Sequence, residues 1–233
     1  MEYTLSFLFI LFISYSFMGW LMETILCSIQ LKKIANRGFL VGPLCPIYGI
    51  AALIIVYFLS GYKDDLLVLF VMIVVLATIL EYLTSYILEK LFKIRWWDYS
   101  KQPFNINGRI ALSNSILFGG LGSTIIYGIN PIYISVIEQI PNNILDYIAL
   151  IIAILFIIDL SITSNILFKI RKDTKEMLKD RSDEVSIIIR KQISNQLLLT
   201  KRLLNAFPNL TPVHKNLDLR EKVNEYLKHK KSS

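Results

Sequence analysis

Histidine and cysteine are nearly absent from this chain: two of each occur among 233 residues. His214 and His229 sit near the C-terminus, and Cys27 and Cys45 lack the spacing of a metal site. Neither a zinc centre nor a disulfide framework is expected, and both cysteines read as small packing groups. No G-x-x-x-x-G-K-S/T run is present, so the chain carries no P-loop for nucleotide hydrolysis. No serine, cysteine or histidine motif marks a nucleophile, and no cofactor or metal is implied. Charge is scarce as well, at 18% of residues against about 25% in soluble domains.

Hydrocarbon takes the place of all these. Hydrophobic residues make up 54% of the chain and mean hydropathy is +0.52. Apolar runs near 4–29, 43–61, 66–88, 110–129 and 146–168 approach or exceed the roughly 20 residues needed to cross about 30 Å of hydrocarbon. The expected fold is an all-α bundle of five membrane helices. The first run begins Met1-Glu2, with no basic n-region and no small-residue cleavage site, so it reads as a retained helix and not a secretory signal.

Basic residues orient the bundle. Lys32, Lys33 and Arg37 follow the first run, and Lys90, Lys93, Arg95, Lys101 and Arg109 follow the third. The opposite connections hold Lys63 with Asp64 and Asp65, and Glu138 and Asp146 with no cation. The positive-inside rule then places the N-terminus outside a plasma membrane and the basic loops and tail in the cytoplasm.

The chain divides into a bundle over 1–168 and a tail over 169–233. The tail has sixteen basic and eight acidic residues, so the net charge of +7 belongs to it. Leu178, Val185, Ile189, Ile193, Leu197 and Leu204 give residues 172–206 a basic amphipathic helical pattern, which Pro208 and Pro212 end; a second helix is expected over 216–230. Such a helix suits the anionic inner leaflet, a partner or second copy of the chain, or plain solvent. Nucleic-acid binding is not indicated, since Phe207 and Tyr226 are the tail's only aromatics.

Against this background three intramembrane carboxylates stand out: Glu23, Glu81 and Asp159. An ionised acid at the centre of a spanning helix lies about 2.5–3.5 kcal/mol uphill and usually faces a cavity or a partner. All three fall in the cytoplasmic half. Glu81, Ser85 and Glu89 recur every four residues, as do Gly19 and Glu23, so each set shares a helix face.

The loops supply possible partners. Asn36-Arg37-Gly38 leads into Gly42-Pro43-Leu44-Cys45-Pro46-Ile47-Tyr48-Gly49, and Phe104-Asn105-Ile106-Asn107-Gly108-Arg109 precedes the fourth run. Each delivers an arginine at a helix start. Arg37 and Arg109 are open to two roles, pairing with Glu23, Glu81 or Glu89, or holding an external anion with the helix N–H groups. The two prolines and glycines around Cys45 fit either a broken helix lining a cavity or a plain loop with Pro46 in the first helical turn. Trp96, Trp97 and Tyr99 read as an interfacial belt, which leaves Asp98 unexplained. Ser115, Gly119 and Ser123 give the fourth run a small-residue face and suggest the buried centre of the bundle.

With these motifs together, Gly19-Trp20 with Glu23, Asn36-Arg37-Gly38 through Gly49, Glu81-Tyr82 with Thr84-Ser85 and Glu89, and Trp97-Asp98-Tyr99 with Phe104-Asn105 and Gly108-Arg109, the chain resembles the bacterial membrane proteins described as putative ABC-transporter type IV, permease-like. The resemblance runs from about Phe12 to about Pro131, short of Asp159. It implies a transporter subunit whose ATPase is a separate chain. The residues expected to form its polar site are Glu23, Arg37, Glu81, Ser85, Glu89, Asp98, Asn105 and Arg109, shaped by Gly38, Gly42, Pro43, Pro46, Gly49 and Gly108. Two other classes are open: an intramembrane enzyme acting on a lipid or other anionic amphiphile, and a non-catalytic scaffold or sensor.

Overall fold

Each long helix is started and stopped by local chemistry. In the computed structural model, which describes residues 3–32, 38–179 and 211–212, α1 spans Leu5–Leu31 and opens where the Thr4 hydroxyl accepts the Phe7 N–H at 3.2 Å. It closes on Lys32, whose φ of 51° is the left-handed turn that ends many helices. Helix α3, Leu66–Phe92, repeats the pattern: the Asp65 carboxylate accepts the N–H groups of Leu67 and Val68, and Lys93 takes φ 59°. Helix α4, Leu112–Thr124, runs through a π turn at Ile125–Ile129 into α5, Asn130–Ile137. Pro131, which has no N–H to give, sits just after that turn. Helix α6 covers Asn142–Lys179.

Four stretches are long and apolar enough to cross a membrane: Leu5–Ile29, Leu66–Phe92, Leu112–Ile137 and Asn142–Lys169. Helix α2, Pro46–Leu59, has only 14 residues, about 21 Å of rise, and a 3-10 turn at Ser60–Tyr62 follows it. The second apolar run is therefore a short helix entered through irregular backbone over residues 38–45. Pro46 occupies the first helical turn, and Pro43 and Pro46 keep residues 38–45 out of the helix. The Cys45 N–H donates instead to the Ser16 carbonyl at 3.0 Å, so α2 begins beside the middle of α1.

From there α2 runs antiparallel to the first half of α1. A Cβ on Gly49 would come within 2.5 Å of the Phe12 carbonyl oxygen, and one on Gly19 would overlap the Tyr48 ring. The two backbones approach this closely because both positions are glycine. Helix α4 meets α3 in the same way, with Gly119 against Phe70 and Val74 and Gly122 against Ile73. The fourth run is nonetheless not the enclosed centre expected from its small residues. Only one of its faces is covered, while Ile116, Leu117 and Gly120 are exposed.

Apolar clusters close both ends of the bundle. Phe7, Leu11, Tyr15, Ala52, Ile137 and Leu145 join α1, α2, α5 and α6 at one end, where the Tyr15 hydroxyl donates to Asn130 at 2.7 Å. Ile55, Leu59, Leu69 and Ile73 lie nearby. At the other end Phe92, Trp96, Ile166 and Leu167 pack with Phe39 and Val41. The polar residues lie between these ends.

The 93–111 connection folds as well. Asn105–Ile106 (β2) pairs antiparallel with Ile110–Ala111 (β3), after Ile94–Arg95 (β1) has paired with Thr211–Pro212 (β4). Asn107 and Gly108 take φ of 54° and 66° in the hairpin turn, as suits Asn-Gly. Most of the tail, including the helices expected over 172–206 and 216–230, lies outside the described residues apart from the end of α6, as do Asn36 and Arg37.

Candidate functional site

Three polar groupings occupy the half of the bundle nearer the basic loops. Counting from the helix ends at 1.5 Å per residue, Glu23 lies about 12 Å, Glu81 about 16 Å and Asp159 about 15 Å inside Leu31, Phe92 and Lys169.

The first grouping is an ion-pair cluster. The hairpin carries Arg109 to the start of α4, and its guanidinium donates to Glu89 at 2.8 Å while lying 3.4 Å from the Ser85 hydroxyl. It also rests 5.6 Å from the Tyr86 ring centre and 5.8 Å from that of Tyr82, within cation–π range. Arg95 closes on the same Glu89 oxygen at 3.2 Å. Of the two roles open to Arg109, the geometry is internal pairing.

The hairpin itself is held by the other motif residues. Asp98 accepts the backbone N–H and hydroxyl of Ser100 at 3.0 and 2.5 Å and lies 3.6 Å from Arg95. The Ser100 hydroxyl bond, more than the nearby arginine, holds its carboxyl below the usual aspartate range. Asn105 accepts the Gly108 N–H at 3.0 Å and donates to the Gln102 carbonyl at 2.7 Å. The Trp97 indole N–H donates to the Arg109 carbonyl at 2.8 Å. These contacts give Asp98, Asn105 and Gly108 shaping roles: they set where Arg109 emerges.

The second grouping joins α1, α2, α3, α4 and the hairpin. Gly19 leaves room for the Tyr48 ring, and the Tyr48 hydroxyl donates to Glu23, one turn further along α1, at 2.5 Å. Across from it, Glu81 is only 5% exposed and is hydrogen-bonded to the Tyr99 hydroxyl, which also bonds Asn114. Burial, followed by the neighbouring Glu81 carboxylate, pushes the Tyr99 phenol above its ordinary range. The second Glu81 oxygen, Oε2, is buried and has no hydrogen-bond partner among the described residues. Glu23 and Glu81 are close enough for their carboxylates to interact.

The third grouping is Asp159. Its Oδ1 accepts the Val41 N–H at 2.9 Å and its Oδ2 the Gly42 N–H at 2.8 Å. Thr163, one turn on, accepts the Val41 N–H as well, at 3.1 Å, and lies 3.3 Å from Oδ1. A Cβ on Gly42 would come within 2.6 Å of Oδ2, so the close approach requires glycine. Asp159, with Thr163, ties the irregular segment to α6.

The expected site residues include neither Asp159 nor Tyr48, Tyr99, Asn114 and Thr163, although Tyr48 and Tyr99 stand within the motifs that carry the resemblance. The polar residues of the Tyr48 and Asn114 segments were visible signals within apolar runs. Among the described residues no group of three histidine, cysteine, aspartate or glutamate side chains is placed to hold a metal ion.

Residues 10–164 match the sequence profile of the family described as putative ABC-transporter type IV. The chain belongs to that family. The match reaches past Pro131, where the motif resemblance stopped, and takes in Asp159 and Thr163. No curated protein and no solved structure shows significant similarity to the chain. Family membership and the long apolar helices make this a multi-pass membrane protein of transporter type.

Proposed function

We propose that the protein is the membrane-embedded, permease-like subunit of a transport assembly, with a polar site opening to the cytoplasm and an ATPase supplied by another chain. The observation that carries this reading is the short second span with its irregular entry over residues 38–45. Irregular backbone at membrane depth is tolerated where protein or a water-filled cavity covers it, and broken helices in transporters commonly border the substrate path. Here residues 38–45 are fastened to Ser16 of α1 and to Asp159 and Thr163 of α6, and Tyr48, in the first turn of α2, donates to Glu23. The site proposed is this layer: Glu23, Tyr48, Glu81, Tyr99 and Asn114.

Glu89, Arg95 and Arg109 act as structural glue in this account. Their charges satisfy one another, which argues against Arg109 as the phosphate-holding group of an intramembrane enzyme.

The reading is tested by isolating the tagged full-length protein from native membranes. It predicts co-purification of an ATPase whose hydrolysis rate rises when the subunit is present. Repeated recovery of no nucleotide-hydrolysing partner would remove the permease assignment.

A further inference from the structure

Glu81 presents a chemical problem that the rest of the layer does not solve. A carboxylate oxygen shut away from water needs a donor or a positive charge, and burial without either strongly disfavours the ionised form. Oε2 has neither among the described residues. Among the described residues the groups facing Glu81 are Tyr99 from the 93–111 connection, itself bonded to the neutral Asn114 of α4, and Glu23 of α1 with its partner Tyr48 of α2. Arg109, a turn away, is committed to Glu89 at 2.8 Å, and Arg95 to Glu89 and Asp98. Asp159, from α6, is occupied by the backbone of Val41 and Gly42.

We infer that Glu81 is a proton-binding site: it is a neutral carboxylic acid in the arrangement described here, with the proton on Oε2. The hydrogen-bond directions agree. Asn114 donates to the Tyr99 oxygen, Tyr99 donates to one Glu81 oxygen, and the other carries the proton. The one bond aimed at Glu81, from Tyr99, comes from the 93–111 connection and not from a neighbouring span, so displacement of Tyr99 would strip the acid of its fixed donor and open it to water. Proton release would accompany that opening. The inference deepens the proposed function and rests on its polar site, but not on the ATPase.

The test is a pH titration of the full-length protein in lipid nanodiscs by infrared difference spectroscopy. A C=O band of a protonated carboxyl is expected near neutral pH, lost on raising the pH, missing in Glu81→Gln and retained in Glu89→Gln. Labelling by a hydrophobic carbodiimide, which attacks protonated acids, supplies a second readout. Mass spectrometry should find the adduct on Glu81, falling about tenfold per unit of pH above the group's midpoint. A Glu81→Gln protein that keeps the band, or an adduct only on other acids, overturns the inference. So does a band erased by sodium at constant pH, which would assign the site to a metal cation. Neither readout requires a partner, so failure to recover an ATPase and failure of the proton site are separate results.

Discussion

Asp159 meets a need created by prolines. Once Pro43 and Pro46 break the second span, the N–H groups of Val41 and Gly42 have no helical acceptor, and the two Asp159 oxygens take both. Asp159→Ala should therefore cost about 1–3 kcal/mol, since it leaves the Gly42 N–H without its acceptor while the Val41 N–H keeps Thr163. The thermal midpoint in micelles should fall, and alkylation of the buried Cys45 should accelerate, while the equally buried Cys27 in α1 stays protected. Asp159→Asn, which keeps one acceptor, should lie between. A fully protected Cys45 in the alanine variant would mean that something else holds the segment. Asp98 makes a smaller prediction. Its carboxyl titrates below the ordinary aspartate range, so its contribution is present above that range and is lost as pH falls through the lowered value. With the side chain 35% exposed the effect is small and local. Amide exchange at Tyr99 and Ser100 should quicken in acid before the helices respond, and Ser100→Ala should move that onset to higher pH. The sequence made the helix-face relations readable, Gly19 with Glu23 and Ser85 with Glu89, because they depend on spacing alone. It could not reveal the partner of Asp159, which is backbone, or the pairing of Tyr48 and Tyr99 with acids on other helices.

At the scale of elements, the short helix α2 depends on what is missing at two positions. Gly49 lets the α1 and α2 backbones meet, and Gly19 accepts the Tyr48 ring that then reaches Glu23. Adding a methyl group to a filled interface costs typically about 1–3 kcal/mol. Gly49→Ala, whose Cβ would meet the Phe12 carbonyl, should be at the upper end, because backbone yields less than a side chain. Gly19→Ala should in addition turn Tyr48 away from Glu23. Gly120→Ala provides the contrast: nothing lies within 4 Å of that position, and in a helix alanine is favoured over glycine by about 0.8–1.0 kcal/mol. Thermal unfolding of the three variants in one lipid mixture checks the order, and equal losses for Gly49 and Gly120 would dispose of the close-approach account. The break in the second span was half legible. The prolines marked the interruption, but its depth came only from the Cys45–Ser16 hydrogen bond, which no local pattern encodes.

For the whole molecule, the orientation of the polar layer decides what it can serve, and this follows from where the lysines and arginines sit. Helix α1, α2, α3, the α4–α5 rod and α6 alternate direction, so one assignment fixes all connections. Lys32, Lys93, Lys101 and the tail then share a side opposite Lys63. Moving cationic loops across a bilayer is opposed by the bias that gives the positive-inside rule, and Lys63 is neighboured by Asp64 and Asp65. Lys63 and Lys101 are both exposed, so each can report by substitution to cysteine in a Cys27→Ser, Cys45→Ser background. In intact cells a membrane-impermeant maleimide should label Lys63→Cys at once and Lys101→Cys only after permeabilisation. That result would put Glu23 and Glu81 within about 12–16 Å of the cytoplasmic ends of their helices, on the side where an ATPase could act on them. The reverse labelling would face the layer outward, and a polar site driven by a cytoplasmic ATPase could not then be built from these residues.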